Sequence, residues 1–336
     1  MKSSIEDVAQ AAGVSTATVS RVFSHPERVS PSTQQRVRKA AEKLDFYISR
    51  SAGLLKSGRS MRVALLVGSS KIDWFTGRII EGINTVFRDT RYDLVIFPIC
   101  NVTQRKEFFE NLPLRGNVDA VIVSSFAISA EEIERLSTAH LPIIGINISD
   151  TTGFTASVSI DDREGTSIGV RYLAQLGHKN IAYCYETFDE GLNFSSAQRI
   201  DGFSEACDNA GIRSTIITIK SDEDGFNTIY SQLLSSRNKD VTALFFHQDS
   251  LAVPFIFKAQ HIGLAIPEHL SVLGYDNSTF SGEVGLSTIK QKPLDTAIKA
   301  AQKALALVDG DMSAATHDIE PVQLLIRSST SRARAL

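Results

Sequence analysis

The chain is poor in cysteine, and its cysteines are not arranged as metal ligands. Only three occur in 336 residues, Cys100, Cys184 and Cys207, and none is paired at metal-ligand spacing. The low, odd count argues against a disulfide framework and favours reduced thiols in a reducing compartment. We expect no metal site and no cofactor.

Long apolar runs and targeting segments are also missing. No run approaches the ~20 residues that a membrane-spanning helix needs. The first residues carry Glu6 and Asp7 where a signal peptide has an apolar core. We therefore expect a cytoplasmic protein with no membrane partner.

The common catalytic motifs do not occur. The sequence has no HExxH, no Walker-type glycine loop, no GxSxG and no CxxC, and its seven histidines are scattered. The sequence predicts no catalytic residues, and hence a protein that is not an enzyme.

The charge is divided unevenly along the chain. Residues 1–59 contain ten Lys and Arg against five Asp and Glu, a net charge of +5 with His neutral, whereas the whole chain carries −3 and residues 60–336 therefore −8. A basic segment on an acidic body is typical of a protein that binds a polyanion through its N-terminal part.

The basic segment begins with a pattern of two short helices. Val8, Ala9 and Ala12 recur at helical spacing, Gly13 suits a tight turn, and Ser15 is a natural N-cap for the next helix. That helix is anchored by Val14, Val19 and Val22, which leaves an outer face of short side chains and one arginine: Thr16, Ala17, Ser20 and Arg21. Such a face is able to reach base edges and phosphates in the major groove. The alternative is an ordinary helical hairpin with a solvated face.

After residue 60 the pattern changes to alternating strands and helices. Continuous apolar runs such as 63–67, 120–123 and 143–146 indicate buried parallel strands, and amphipathic helices separate them. A second series of the same kind begins after Asp161, with runs at 181–185, 243–246 and 271–275. Two α/β lobes are therefore predicted. A final helix near 294–308 and a strand near 322–326 are expected to rejoin the first lobe.

Candidate ligand residues follow the predicted strands, because ligands of doubly wound sheets bind beyond the carboxyl ends of the strands. Carboxylates, amides, one guanidinium and an aromatic pair suit a polyhydroxylated ligand. Trp74 and Phe75 could instead pack in the core. Asp161 and Asp276 could instead stabilise a turn or cap a helix. The candidates are Ser69, Ser70, Trp74, Phe75, Ser124, Ser125, Asn147, Asp161, Arg199, Gln248, Asp249, Asp276 and Asn277.

The residues at 8–22 resemble the headpiece of the lactose/galactose repressor (LacI/GalR) family of bacterial transcriptional regulators. The similarity continues through Leu176-Gly177-His178, the segment 199–203, the segment 249–252 and Gly274-Tyr275-Asp276. The resemblance implies an all-α helix-turn-helix headpiece (1–47), a hinge helix and linker (48–60) and a two-lobed periplasmic-binding-protein-like core with parallel sheets (61–336). The expected lobes are 61–160 with 290–325, and 161–289.

The resemblance also implies partners and contacts. A homodimer or tetramer is expected to bind near-palindromic operator DNA, with base-reading positions at Thr16 and Ala17 and an apolar wedge at Leu55. The residues expected to contact DNA are Ser15, Thr16, Ala17, Thr18, Ser20, Arg21, Ala52 and Leu55.

The same resemblance places a small effector, a sugar or sugar phosphate and less often a purine, between the lobes. Arg199 and Asp276 fall on the family's main effector-holding pair, and Asn147 and Gln248 on further polar positions. The predicted effector residues are Ser69, Trp74, Phe75, Asn147, Asp161, Arg199, Gln248 and Asp276. Lys220 and Arg78 are the cations that would favour a phosphorylated effector.

Two other interpretations remain open at this point. A regulator that needs its ligand as corepressor has the same sequence features as one released by its ligand. A two-lobed solute receptor without DNA function has the same body, but the basic helix-turn-helix segment argues against it.

Overall fold

The structure is a computed structural model that describes residues 3–24, 26–46, 59–68, 71–187, 194, 196–220, 224–235 and 240–334. The chain divides into two compact units, residues 1–60 and 61–336. None of the helices within the described ranges has the length and apolar character needed to cross a membrane.

The first unit is a three-helix headpiece. Its helices are α1 (Ile5–Ala12), α2 (Thr16–Ser24) and α3 (Pro31–Lys43), with a short 3₁₀ turn at Pro26–Arg28. A capping box between Ser4 and Asp7 begins α1, and Gly13 ends it at φ 63°, where a Cβ would be strained. As predicted, Ser15 caps α2, since its hydroxyl accepts from the Thr18 amide at 3.2 Å.

The headpiece core consists of small apolar residues. Val8, Val19, Val22 and Val37 are completely buried. Short side chains let the three helices approach closely, and the cluster is completed by Ala9, Ala12 and Ala41. This core therefore sets which face of α2 points outward.

The second unit contains two α/β lobes. The first lobe is built mainly from β1 (Arg62–Val67), α4 (Trp74–Phe87), β2 (Asp93–Pro98), α5 (Val102–Asn111), β3 (Ala120–Ser124), α6 (Ala130–Ser137), β4 (Ile143–Ile146) and β5 (Ala156–Ile160). The second is built mainly from α7 (Asp162–Gln175), β6 (Asn180–Thr187), α8 (Ala197–Ala210), β7 (Arg213–Lys220), α9 (Gly225–Leu234), β8 (Ala243–Phe246), α10 (Asp249–His261), β9 (Ser271–Asp276) and β10 (Ser287–Lys290).

The chain then returns to both lobes. Helix α11 (Pro293–Val308) packs on α4, and β11 (His317–Glu320) pairs in parallel with β5, whereas β12 (Gln323–Leu325) pairs antiparallel with β10. The strand orders are β11-β5-β4-β3-β1-β2 and β12-β10-β9-β8-β6-β7. The predicted fold class is confirmed for the headpiece and the two-lobed core.

The end of the first lobe was predicted wrongly. The strand near 322–326 was expected to rejoin the first lobe, but Gln323–Leu325 extends the second sheet, and His317–Glu320 rejoins the first. Leu324 packs against the buried cluster of the second lobe, which accounts for the pairing. Segment 290–325 is therefore shared between the lobes, because Lys290 also pairs within the second sheet.

Candidate functional site

The outer face of α2 is the candidate DNA-binding surface. Thr16, Ala17, Ser20 and Arg21 are exposed, while Val19 and Val22 hold the opposite face in the core. Thr18 is half-buried and its hydroxyl lies 2.9 Å from the Ser15 hydroxyl. The face thus presents short side chains at the beginning of the helix and a long cation in its last turn. Ala52 and Leu55 lie outside the described residues.

The candidate effector site is a cavity of about 360 Å³ in the second unit. Side chains from both lobes line it, mostly at the carboxyl ends of strands. The lining residues are Asp73, Trp74, Phe75, Ser125, Asn147, Phe194, Ser196, Arg199, His247, Gln248, Asp249, Ser250, Val253, Pro254, Asp276, Ser278, Thr279, Phe280 and Gln291. Its volume is within the range of small-molecule sites.

Arg199, in the first turn of α8, is the buried cation of this cavity. Its Nε donates to Asp162 Oδ1 at 2.7 Å, and its Nη1 donates to the His247 carbonyl at 2.8 Å. Nη1 also lies 3.7 Å from Asp276 Oδ1, and the guanidinium carbon lies 3.7 Å from the centre of the Tyr275 ring. The Asp162 carboxylate, the Asp276 carboxyl and an aromatic face therefore surround a charge that is only 4% exposed.

Asp276, the last residue of β9, is a buried carboxyl in an unusual conformation. Its φ of 121° lies where side chains are rarely found, and Asn277 follows at 59°. Burial raises the pKa of Asp276 to about 8, although Arg199 opposes the shift. Oδ1 accepts a hydrogen bond from Gln291 Nε2 at 2.6 Å. The carboxyl is thus held as an acceptor at the cavity wall.

Asp249, the first residue of α10, ties down the loop after β9. It is completely buried and accepts hydrogen bonds from the Ser278 amide at 3.0 Å and the Thr288 hydroxyl at 2.8 Å. Gly274 leaves room for this carboxylate, because a Cβ there would lie 2.1 Å from Asp249 Oδ1. The loop carries Ser278, Thr279 and Phe280 to the cavity.

A contact between the lobes lies beside these groups. Phe194, from the second lobe, forms a single β-bridge with Phe126 of the first. Its ring lies over Gly68, where a Cβ would come within 2.6 Å of Phe194 Cε1. The absence of a side chain at Gly68 therefore lets the lobes approach here.

The structure brings six of the eight predicted effector residues to the cavity: Trp74, Phe75, Asn147, Arg199, Gln248 and Asp276. Ser69 lies outside the described residues. Asp161 is not in the lining. Its carboxylate caps α7 by accepting a hydrogen bond from the Glu164 amide at 2.9 Å, which is the alternative role considered above. The neighbouring residue, Asp162, is the one that pairs with Arg199.

Sequence reasoning missed several lining residues. His247 directly precedes the predicted Gln248 at the end of β8, so the same strand-end argument applies to it. Gln291 follows β10, a strand that the apolar runs did not reveal. Phe194 and Phe280 lie in loops, where no periodicity marks them.

Within the described ranges, no three His, Cys, Asp or Glu side chains are grouped as a metal site. Cys184 and Cys207 are buried, and burial raises the pKa of both thiols. The chemistry of the cavity is that of hydrogen bonding and apolar contact.

Comparison with known proteins agrees with both parts of the structure. Residues 4–49 match the model described as bacterial regulatory proteins of the lacI family, and residues 170–330 match a periplasmic binding protein-like domain. Catabolite control protein A of Priestia megaterium is 28% identical over 331 residues, covering 96% of this chain and 97% of that protein. The transcriptional regulator GalR of Escherichia coli is 29% identical over 313 residues, covering 91% of this chain and 89% of that protein.

Solved structures give the same picture of the fold. The lac repressor dimer bound to operator and the anti-inducer ONPF superposes with a TM-score of 0.81 at 24% identity, covering 98% of this chain and 100% of that one. A LacI family regulator from Enterococcus faecium with bound ribose superposes with a TM-score of 0.70 at 25% identity, covering 81% of this chain and 100% of that one.

A helix-turn-helix headpiece followed by a two-lobed core with an internal cavity defines a DNA-binding transcriptional regulator with an effector-binding core. Residues 4–49 match the lacI family of bacterial regulatory proteins, and over nearly its whole length the chain is similar to transcriptional regulators such as GalR, as the headpiece motif predicted.

Proposed function

We propose that this regulator is a cytoplasmic repressor of carbohydrate-utilisation genes, and that an uncharged sugar-type effector in the core cavity releases it from DNA. The observation that carries the proposal is the charge of the described lining: Arg199 is its one Lys or Arg, and Asp162 and Asp276 already lie beside that guanidinium. Lys220 and Arg78 are not among the lining residues. A phosphate group would meet no second Lys or Arg among the described lining residues, whereas hydroxyls meet carboxyl and amide partners.

The apolar part of the lining supports a ring-shaped ligand. Trp74 and Phe75 begin α4 at the cavity wall, and Phe194 and Phe280 add two further aromatic rings. Flat apolar surfaces beside acceptors and amides suit the faces and edges of a sugar ring. The ribose-bound relative supports the same class of effector.

The effector acts only if it binds two lobe arrangements unequally. We infer that the chain works as a homodimer on a near-palindromic operator, that residues 1–47 read DNA, and that residues 48–60 connect them to the lobes 61–160 and 161–289, completed by the shared segment 290–325. Ala52 and Leu55 remain DNA-contact predictions from the family resemblance.

A paired screen tests the proposed effector class. Melting temperatures of the full chain should rise with D-ribose or D-glucose more than with D-ribose 5-phosphate or D-glucose 6-phosphate, because a ligand that binds only the folded state stabilises it. Gln248→Ala should reduce the shift, while Asp161→Asn, outside the cavity, should keep it. A larger shift with the phosphates would contradict the uncharged effector. A gain in DNA affinity on adding the sugar would identify a corepressor instead of an inducer.

Arg21 provides a test of the DNA-binding surface. Arg21→Ala should weaken binding to fragments from around the protein's own gene by about 5- to 150-fold, as expected for a contact worth roughly 1–3 kcal/mol. If the contact is to phosphate, the salt dependence should also become shallower. Anisotropy titrations at several salt concentrations measure both. Arg28→Ala, an exposed arginine in the 3₁₀ turn, is the matched control. Equal losses of DNA affinity in the two variants would mean that Arg21 contributes only positive charge and makes no specific contact.

A further inference from the structure

His247 has one ring nitrogen engaged and one facing the cavity. The residue is 5% exposed and lines the cavity at the end of β8. Its Nδ1 lies 3.0 Å from the Tyr183 hydroxyl. Among the described residues Nε2 has no hydrogen-bond partner, yet it is not one of the fully enclosed unpartnered atoms. The small exposed part of the ring therefore includes Nε2, which opens on the cavity.

Tyr183 determines which of the two nitrogens carries the hydrogen. Its hydroxyl is completely buried, and His247 is its one hydrogen-bond partner in the described part of the chain. If Nδ1 carried the hydrogen and donated it to Tyr183, the buried hydroxyl would have no acceptor for its own hydrogen, which is the costly arrangement. Tyr183 therefore donates to Nδ1, and the neutral ring carries its hydrogen on Nε2.

The surroundings keep both groups in these states. Burial and the nearby Arg199 guanidinium lower the pKa of His247 well below its ordinary value, so the ring stays neutral at physiological pH. Burial raises the pKa of Tyr183, so its hydroxyl stays protonated. The position of the backbone is fixed as well, since the His247 carbonyl accepts from Arg199 Nη1 at 2.8 Å.

We propose that His247 is a fixed, neutral hydrogen-bond donor of the cavity, whose Nε2–H pairs with a hydroxyl or ring oxygen of the effector and whose direction is set by Tyr183. The pairing with a sugar oxygen rests on the proposed function. His247 then complements Asp276, which offers an acceptor on the same cavity wall. Together they favour a ligand with an acceptor opposite His247 and disfavour one that presents only N–H groups there.

The tautomer is measurable without any ligand. In the full chain labelled with ¹⁵N-histidine, the ring signals of His247, assigned by their loss in His247→Gln, should show a protonated Nε2 and an unprotonated Nδ1 from pH 8 to pH 6. Tyr183→Phe should shift the ring towards a mixture of tautomers, because nothing then donates to Nδ1. A hydrogen on Nδ1, or a charged ring at pH 7, would overturn the proposal.

The ligand arm uses the sugar that stabilises the wild-type chain in the paired screen. His247→Phe keeps a ring but loses the donor and should bind about tenfold more weakly. His247→Gln retains a neutral N–H at a similar reach and should stay within about threefold of wild type. Unchanged affinity in His247→Phe would overturn the donor role. If His247→Phe does not fold, the sugar affinity of Tyr183→Phe is compared with that of wild type instead. Weaker binding by Tyr183→Phe is expected, and unchanged binding would overturn the donor role. A screen in which no sugar binds would contradict the proposed function, while the NMR result decides the tautomer by itself.

Discussion

Replacing Arg199 with methionine should destabilise the core by about 3–5 kcal/mol and abolish the response to effector. The size of the effect follows from what the guanidinium compensates. The side chain of Asp162 is 2% exposed and that of Asp276 is 11% exposed, and both face Arg199. Methionine replaces the aliphatic part of the side chain but leaves the Asp162 carboxylate, and the Asp276 carboxyl beside it, without a positive partner, and an uncompensated buried charge is costly.

The natural control is an arginine with similar partners at the surface. Arg163 lies 3.1 Å from Asp201 and 3.2 Å from Glu205, but its side chain is 48% exposed. Arg163→Met should cost no more than about 1 kcal/mol, since water screens such pairs. Urea unfolding of the full chain measures both. Adding Asp162→Asn to Arg199→Met should recover part of the loss, because it removes the uncompensated charge. Equal losses in the two arginine variants would mean that burial does not govern this pair.

The headpiece could be predicted in detail because its information is local. Ser15, Gly13 and Ser30 each act within four residues of themselves, as caps or a turn. The buried stripe of valines follows helical spacing, which a sequence displays directly. The direction of the α2 outer face then follows without knowledge of any distant contact.

The core was less predictable where function depends on distant contacts. Strand β5 was missed because Ser157 and Ser159 interrupt its apolar run, although both serines are buried. Their hydroxyls have partners in other segments of the chain: that of Ser157 lies 2.9 Å from His317 Nδ1, and that of Ser159 accepts from the Ile148 amide. Polar residues that look like a turn in the sequence therefore belong to a buried strand.

The same limit applies to Asp161, for which the sequence left an effector contact and a helix cap open. Two adjacent carboxylates follow β5, and a strand-end argument cannot separate them, because one residue of helical rotation decides which side chain turns inward. In the structure Asp161 caps α7, whereas Asp162 pairs with Arg199, 37 residues further along the chain. Sequence reasoning thus found the right edge of the sheet, while the choice between neighbours depended on tertiary contacts.

Asp276→Asn should make the folded chain more stable than wild type at alkaline pH. The pKa of Asp276 is about 8 when folded and near the ordinary 3.8 when unfolded. Between these values the folded chain holds a proton that the unfolded chain has lost, so the contribution of this group to stability is fully present below about pH 4 and is lost as pH rises through 8. The loss approaches 1.4 kcal/mol per pH unit, or at most about 3 kcal/mol between pH 6 and pH 9.

Asparagine removes this titration with little other change. Its Oδ1 still accepts from Gln291, and Arg199 keeps Asp162 as a partner. The free energy of unfolding, measured from pH 5 to pH 9, should fall more steeply in wild type than in Asp276→Asn, with the curves converging towards low pH. The stability curve of Asp161→Asn against pH should run parallel to that of wild type, because the Asp161 carboxylate caps a helix outside the cavity. Parallel curves for wild type and Asp276→Asn would instead mean that this carboxyl is already ionised in the folded core at pH 5, and that Arg199 outweighs the cost of its burial.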